Sequence, residues 1–313
     1  MATIFKIQIQ VLTLTLSLYS AGCAFGTKQA PLSRNAERST TLHDDEQVFN
    51  RVLQKHFGLW NDKKADRFLN NIFTRLVESN RIAQKDESAA GFSNNLITNG
   101  DTANSPETLP LTKGTPEKLV LLNTEVPLNQ GGVSSLVFIS KGLLRDIEYE
   151  NELVFLLGAQ IYAVHESLYG RQYLRMKQQR SDLGASPGES DDLLSLKVRW
   201  ADIQGVFTLD RLAQEAVDKA GVRIAYAAGY DPRGAISYFL RVQKKYSAKT
   251  PLPWAERLDV IRDEIAKLAP LRDPIVTSQA FEIFEASLKK SNGRKKNRDH
   301  SKDKPDARRT TVD

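Results

Sequence analysis

The stretch from Leu136 to His165 sets the tightest limit on what this chain can fold into. Leu136-Val137-Phe138-Ile139 is apolar and rich in residues that favour a strand. Ser140-Lys141-Gly142-Leu143-Leu144 follows as a turn, then a short charged stretch. Glu152 to His165 reads as one apolar helix. A strand that feeds such a helix through so short a connection calls for an α+β domain. Most of it is expected to be helical, with a small sheet of three or four strands beside this helix.

The chemistry of that helix is defined by what it lacks. Its middle reads Ala159-Gln160-Ile161-Tyr162-Ala163. Positions 159 and 163 are four apart and share a helix face, the spacing at which two His side chains hold one metal ion. Alanine offers no side-chain lone pair. Gln160 is a neutral amide, which hydrogen-bonds but does not act as a general base near neutral pH. The chain has 4 His, at positions 43, 56, 165 and 300, and no two are four apart. His165-Glu166 is followed by Tyr169 and Gly170 where a second ligand would have to stand. His165 reads as a polar residue near a helix end. Further on, Arg211 to Gly221 forms a second helix with Gln214, Glu215 and Asp218 in its middle. Gln214 and Glu215 are neighbours and so face about 100° apart on a helix.

The order of these pieces resembles metallopeptidase family 48, the Ste-type and HtpX-type gluzincins. There a strand ending in Ser/Thr-Lys/Arg-Gly-Leu-Leu leads into a Glu-Leu helix carrying His-Glu-x-x-His. A Glu on a later helix, four residues before an Asp, is the third zinc ligand. The resemblance puts the two His at Ala159 and Ala163, the general base at Gln160 and the third ligand at Gln214. It implies a degenerate gluzincin-like domain with no catalytic residue, no metal ligand and no cofactor, where active members hold zinc. Asn123 to Gly132 is similar to the family's strand and Gly-Gly hairpin. Ala228-Gly229-Tyr230-Asp231-Pro232 matches the family's Ala-Gly-Tyr-Asp-Pro, with Gly229 as a left-handed helix cap, Asp231 capping the next helix and Pro232 in its first turn. Thr250-Pro251 and Glu256-Arg257-Leu258 resemble its Thr-His-Pro…Arg-Ile segment without the His. A lead helix from about Asp44 to Glu78 completes the likeness, which covers roughly 44–268. It also implies that Val133 to Ile139 is an edge strand. Val133, Leu136, Val137, Phe138 and Ile139 would then bind extended peptide by strand addition. The competing expectation is that Tyr162 and a flap around Pro187 close the vacated cleft.

The ends carry a different message. Residues 1–23 read as a lipoprotein signal: a short apolar segment, then Ser20-Ala21-Gly22 before Cys23, the only cysteine. Lipidation at Cys23 with Ala24 after it points to an outer-membrane lipoprotein facing the periplasm of a bacterial envelope. Residues 24–43 form a polar tether. Residues 44–288 are the peptidase-like domain, interrupted by polar inserts at 79–117 and 178–192. Residues 289–313 hold ten Lys/Arg and four Asp/Glu, so the whole net charge of +6 lies there and the remainder balances at 34 of each sign. This basic tail is expected to be disordered. No aromatic interleaving supports a nucleic-acid role.

Three functions follow as expectations. The first is a non-catalytic peptidase-like envelope lipoprotein that holds unfolded polypeptide or envelope proteins in assembly or quality control. The second is an active zinc-dependent metalloendopeptidase. The third is a structural scaffold of an envelope complex. The anchor is directly testable. Replacing Cys23 with Ser is expected to move the protein from the membrane pellet to the soluble periplasmic fraction. Equal retention in the pellet would place the membrane contact elsewhere.

Overall fold

Gly58 divides what the sequence presents as one lead helix. Its φ of +74° turns the chain between α1, residues 49–57, and α2, Lys63–Ala89. Asp62 restarts the helix by accepting from the backbone N–H groups of Lys64 and Ala65 at 2.9 and 3.2 Å. This computed structural model describes residues 46–47, 49–89, 116–182, 208–245 and 253–302, all within the compact unit Arg34–Asp313. The Cys23 signal, the tether, the flap around Pro187 and Thr250-Pro251 lie outside the described residues.

The sheet has three strands, β1 (Lys118–Leu122), β2 (Asn129–Gly131) and β3 (Leu136–Ser140), in the order β1-β3-β2. β3 therefore occupies the centre, parallel to β1 and antiparallel to β2. This corrects the expectation that Val133 to Ile139 is a free edge. Val133 precedes the strand. Val137, Phe138 and Ile139 have strand neighbours on both sides: Leu119 and Gly131 flank Val137, and Val120 and Gln130 flank Phe138, while Leu136 pairs with Lys118 alone. All five residues of β3 are buried. Val137 and Ile139 face one core with Leu119 and Leu121, while Leu136 and Phe138 face another with Val120, Phe49 and Leu53. A strand covered on both faces is apolar at successive positions, whereas a half-exposed one alternates. The unbroken Leu-Val-Phe-Ile run matches this cover on both faces, while the central place comes from pairing with β1 on one side and β2 on the other.

β3 passes into α3 (Lys141–Asp146) through Ser140. The Ser140 hydroxyl accepts from the N–H of Leu143 (3.1 Å) and of Leu128 (2.8 Å), and donates to the Val126 carbonyl (2.7 Å). One side chain thus caps the helix and ties down the loop before β2. α4 (Glu150–His165) is buried along nearly its whole length. α5 (Leu168–Asp182) follows after a tight turn at Ser167. α6 (Arg211–Ala227) begins at Asp210, whose carboxylate accepts from Ala213 N–H at 2.8 Å. It ends at Gly229, whose φ is +82°, with Tyr230 N–H closing onto the Ala225 carbonyl at 2.9 Å. Asp231 accepts from Arg233 N–H at 3.0 Å and launches α7 (Gly234–Lys245). Both caps stand where Ala-Gly-Tyr-Asp-Pro places them. α8 (Trp254–Ala266) and α9 (Gln279–Lys302) complete the order. Helix α9 runs through Lys302, so the first part of the tail expected to be disordered is helical. Phe281, Phe284 and Leu288 anchor its first half in the core, and helix started there propagates cheaply residue by residue.

α4 is the hub. α2, α6, α7, α5 and the sheet all pack on it, and α6 packs most extensively. Two glycines permit that approach. A Cβ on Gly158 would lie 3.1 Å from the Ile224 side chain, and one on Gly221 would lie 3.0 Å from both the Phe155 ring and the Phe155 carbonyl oxygen. Gly221→Val is therefore expected to force α4 and α6 apart and cost about 2–3 kcal/mol. Urea denaturation monitored by circular dichroism measures the loss. Unchanged stability would mean that the crossing adjusts freely.

Candidate functional site

The α4–α6 crossing brings the positions singled out in the sequence to one place. Ala159 and Ala163 on α4 join Val217 and Ala213 on α6, with Leu168 and Tyr169 from α5 and Leu209 before α6, in one apolar cluster. Gln214, the position of the third ligand by resemblance, sits beside Ala213. Its amide donates to Asp218 Oδ1 at 3.2 Å. Glu215 faces elsewhere, as its rotation requires, and pairs with Arg211 at 3.3 Å and Lys219 at 3.8 Å.

Asp218 is fully buried and its charge is answered by Arg257 on α8. The pair is bidentate, with Arg257 Nε to Oδ2 at 2.8 Å and Nη2 to Oδ1 at 2.7 Å. The Arg257 guanidinium also stacks over Phe239 at 4.5 Å and Trp254 at 5.3 Å. Removing one member would strand the other charge in the interior, which makes the pair a fixed strut.

Gln160 has a specific task. Its side-chain oxygen accepts from Gly131 N–H at 2.7 Å and from the Tyr169 hydroxyl at 3.0 Å. An amide oxygen with two donors has both lone pairs committed. Gly131 belongs to β2, the strand beside α4, and its N–H points away from β3. Gln160 thus closes part of the outer edge of the sheet. Asn129 adds to this by donating its side-chain N–H to the Leu156 carbonyl at 2.8 Å. The opposite edge is also engaged: Trp60 N–H donates to Leu121 C=O at 3.0 Å and Asn123 N–H to Gly58 C=O at 2.9 Å.

Tyr169, rather than Tyr162, fills the space above Gln160. Tyr162 is only partly buried and borders the apolar cluster. The Tyr169 ring lies so close to Gly131 that a Cβ there would come within 2.8 Å of it. Its delivery depends on Ser167, which adopts φ 51° and breaks α4 from α5 in a left-handed turn. Burial pushes the Tyr169 phenol up to about 12, against the opposing pull of the Gln130 and Gln160 side chains and the Arg257 charge. The phenol therefore remains a protonated donor at all ordinary pH.

A second buried carboxylate holds the other end of β3. The two Glu46 oxygens accept from the N–H groups of Ser134, Ser135 and Leu136 at 2.8–3.0 Å, and Oε2 also accepts from the Ser135 hydroxyl at 2.8 Å. On α4 itself, fully buried Glu152 pairs with Arg241, with Nη1 to Oε1 at 2.8 Å and Nη2 to Oε2 at 2.5 Å. Hydrogen bonding to Glu152 raises the Arg241 guanidinium above its ordinary range, against the cost of burial.

The donor set does not fit the zinc that the resemblance implies. Two of the three ligand positions are alanines in an apolar cluster, and the third is an amide turned to Asp218. Among the described residues, no three His, Cys, Asp or Glu side chains are grouped to hold a metal ion. His165 lies at the end of α4, with Nδ1 at 3.1 Å from Glu166 Oε1, away from this cluster's ligand positions. The chain matches no protein-family model and no curated protein.

Tyr169, Ser167 and Glu46 carry much of this site and were given no part in it by spacing, while Asp218 and Arg257 were quoted as motif positions without their pairing. The nearest signal was Tyr169 itself, nine residues after Gln160 and beyond a helix break that the sequence does not announce. Gln160→Leu is expected to leave the Gly131 N–H and the Tyr169 hydroxyl without their acceptor, lowering stability by about 2 kcal/mol. An unfolded phenol ionises near 10, so the raised value of Tyr169, about 12, costs nothing below about pH 10. Stability falls as pH rises from about 10 toward about 12, because the unfolded chain ionises first. Tyr169→Phe is expected to flatten that loss relative to the wild type in alkaline urea titrations. Parallel curves would exclude Tyr169 as the source.

Proposed function

We propose that this chain is a non-catalytic relative of metallopeptidase family 48, with a gluzincin-like frame used as a structural scaffold in a complex of the bacterial envelope. The observation that carries the reading is the double hydrogen bond to Gln160. The side chain in the position of the general base is committed to Gly131 and Tyr169. Around it, the ligand positions are packed as apolar core. Kinship rests on the order of short motifs: the Ser140 turn, the Glu-Leu helix, the Asp-x-x-Gly helix and the Gly229–Asp231 caps. Anchorage through Cys23 and a periplasmic location belong to the same proposal.

The scaffold reading is preferred to one in which the sheet holds extended polypeptide. β3 has both sides paired, and each outer edge of the sheet meets its own chain. Strand addition needs a run of unpaired backbone groups. β2 is only 3 residues long and Gln160 takes one of its outward donors.

Purified full-length protein is expected to contain no stoichiometric zinc by elemental analysis and to leave casein intact. One tightly bound zinc per chain, with proteolysis lost on chelation and regained on zinc addition, would overturn the non-catalytic reading. Fluorescent extended peptides and a reduced, unfolded protein are expected to show no saturable binding. Saturable capture that survives Cys23→Ser would replace the scaffold by a peptide-holding role.

A further inference from the structure

The chain's excess charge is concentrated in one helical segment. Residues 289–302 contain seven Lys/Arg, one Asp and no apolar side chain, giving +6, while 303–313 hold three basic and three acidic residues. The net charge of the entire chain, +6, is therefore that of residues 289–302, the C-terminal part of α9. The first half is fixed in the core by Phe281, Phe284 and Leu288, which recur at helical spacing. From 289 to 302 there is nothing apolar to bury. The helix continues to Lys302 nonetheless.

Within that segment four of the seven cations form an inclined stripe, and Lys289, Lys295 and Lys296 lie off it. Lys290, Arg294, Arg298 and Lys302 recur every fourth residue. On a helix, positions four apart are neighbours along one flank. The row extends about 18 Å at ~1.5 Å per residue. Like charges at this spacing repel and weaken an isolated helix. A surface of closely spaced anions would remove that repulsion and favour the helix.

We infer that the second half of α9 is a docking surface for anionic phospholipid headgroups, with the 290/294/298/302 row as its contact. The absence of any apolar residue from 289 to 302 sets the depth: the helix lies on the headgroups and does not enter the hydrocarbon. A lipid surface is favoured over nucleic acid on two grounds. The segment has no Phe, Tyr or Trp on which a base would stack, its one ring being that of His300. Its root is packed into its own domain through Phe281 and Phe284 rather than paired as a dimeric zipper. The row acts by charge alone and needs no acyl group, so this inference stands apart from the Cys23 anchor and from the scaffold reading.

The test uses the full-length chain bearing Cys23→Ser, so that no acyl chain contributes. Co-sedimentation is measured with phosphatidylcholine vesicles, with and without phosphatidylglycerol. The protein is expected to bind only the anionic vesicles and to release at high salt. Lys290→Gln, Arg294→Gln, Arg298→Gln and Lys302→Gln together are expected to weaken binding on the order of a thousandfold. A matched control changes the exposed Lys55, Lys63, Lys64 and Lys118 to Gln. It removes the same charge from dispersed positions and is expected to cost far less affinity than the row variant, since only charges within about a Debye length of the surface contribute. No binding to anionic vesicles, equal binding to neutral ones, or equal loss in the control each overturns the inference. Tighter binding to duplex DNA or single-stranded RNA at the same salt would assign the row to nucleic acid instead.

Discussion

The close crossing of α4 and α6 is the constraint on which the rest depends. Gly158 and Gly221 let the two backbones approach until Phe155, Ala159 and Ile224 fill the seam. That approach fixes three things together. It packs Ala159 and Ala163 against Val217, it places Asp218 within reach of Arg257, and it positions Gln160 beneath Gly131. Small residues at 159 and 163 suit this packing as much as they preclude metal binding. Larger side chains there would have to point into space that Tyr169 and Leu209 now occupy.

Buried charges then hold the surrounding helices to this pair. Glu152 binds α7 through Arg241, Asp218 binds α8 through Arg257, and Glu264 on α8 returns to α6 through Arg223. Burial alone would raise the Glu264 carboxyl, but Arg223 and Lys267 outweigh it and hold it below the usual carboxylate range. Glu150 accepts from Tyr230 at 2.5 Å and so links the start of α4 to the Gly229 cap. Burial, followed by the bond to Glu150, raises that tyrosine above its ordinary value. Such pairs contribute modestly to net stability but penalise any other arrangement, since each broken pair leaves a charge without a partner. A frame specified in this way retains its shape whether or not a reaction takes place inside it, which is what a scaffold requires.

Much of the fold was legible in the sequence. The Ser140 turn, the apolar α4, the Gly229 and Asp231 caps and the Gly131-Gly132 hairpin depend on local chemistry, and each stands where its residues place it. The helix break at Gly58 and the extension of α9 beyond Leu288 were not read, because each sets a backbone preference against a compositional one. The place of β3 was misjudged: its unbroken apolar run implies cover on both faces but does not say which strands lie beside it.

The sequence by itself determined the strand-turn-helix at Ser140, the Gly229 and Asp231 caps and the inventory of side chains at 159, 160, 163 and 214. It also determined that those four offer no imidazole or carboxylate, since that is a property of residue type. Only the tertiary structure decided which strand lies in the middle, which tyrosine seals Gln160 and which cation answers Asp218. Those are contacts between residues far apart in the chain. They are selected by how closely two glycines let α4 and α6 approach and by a single left-handed residue at Ser167. Neither has a period or a spacing to read, because each becomes a constraint only once the elements are packed.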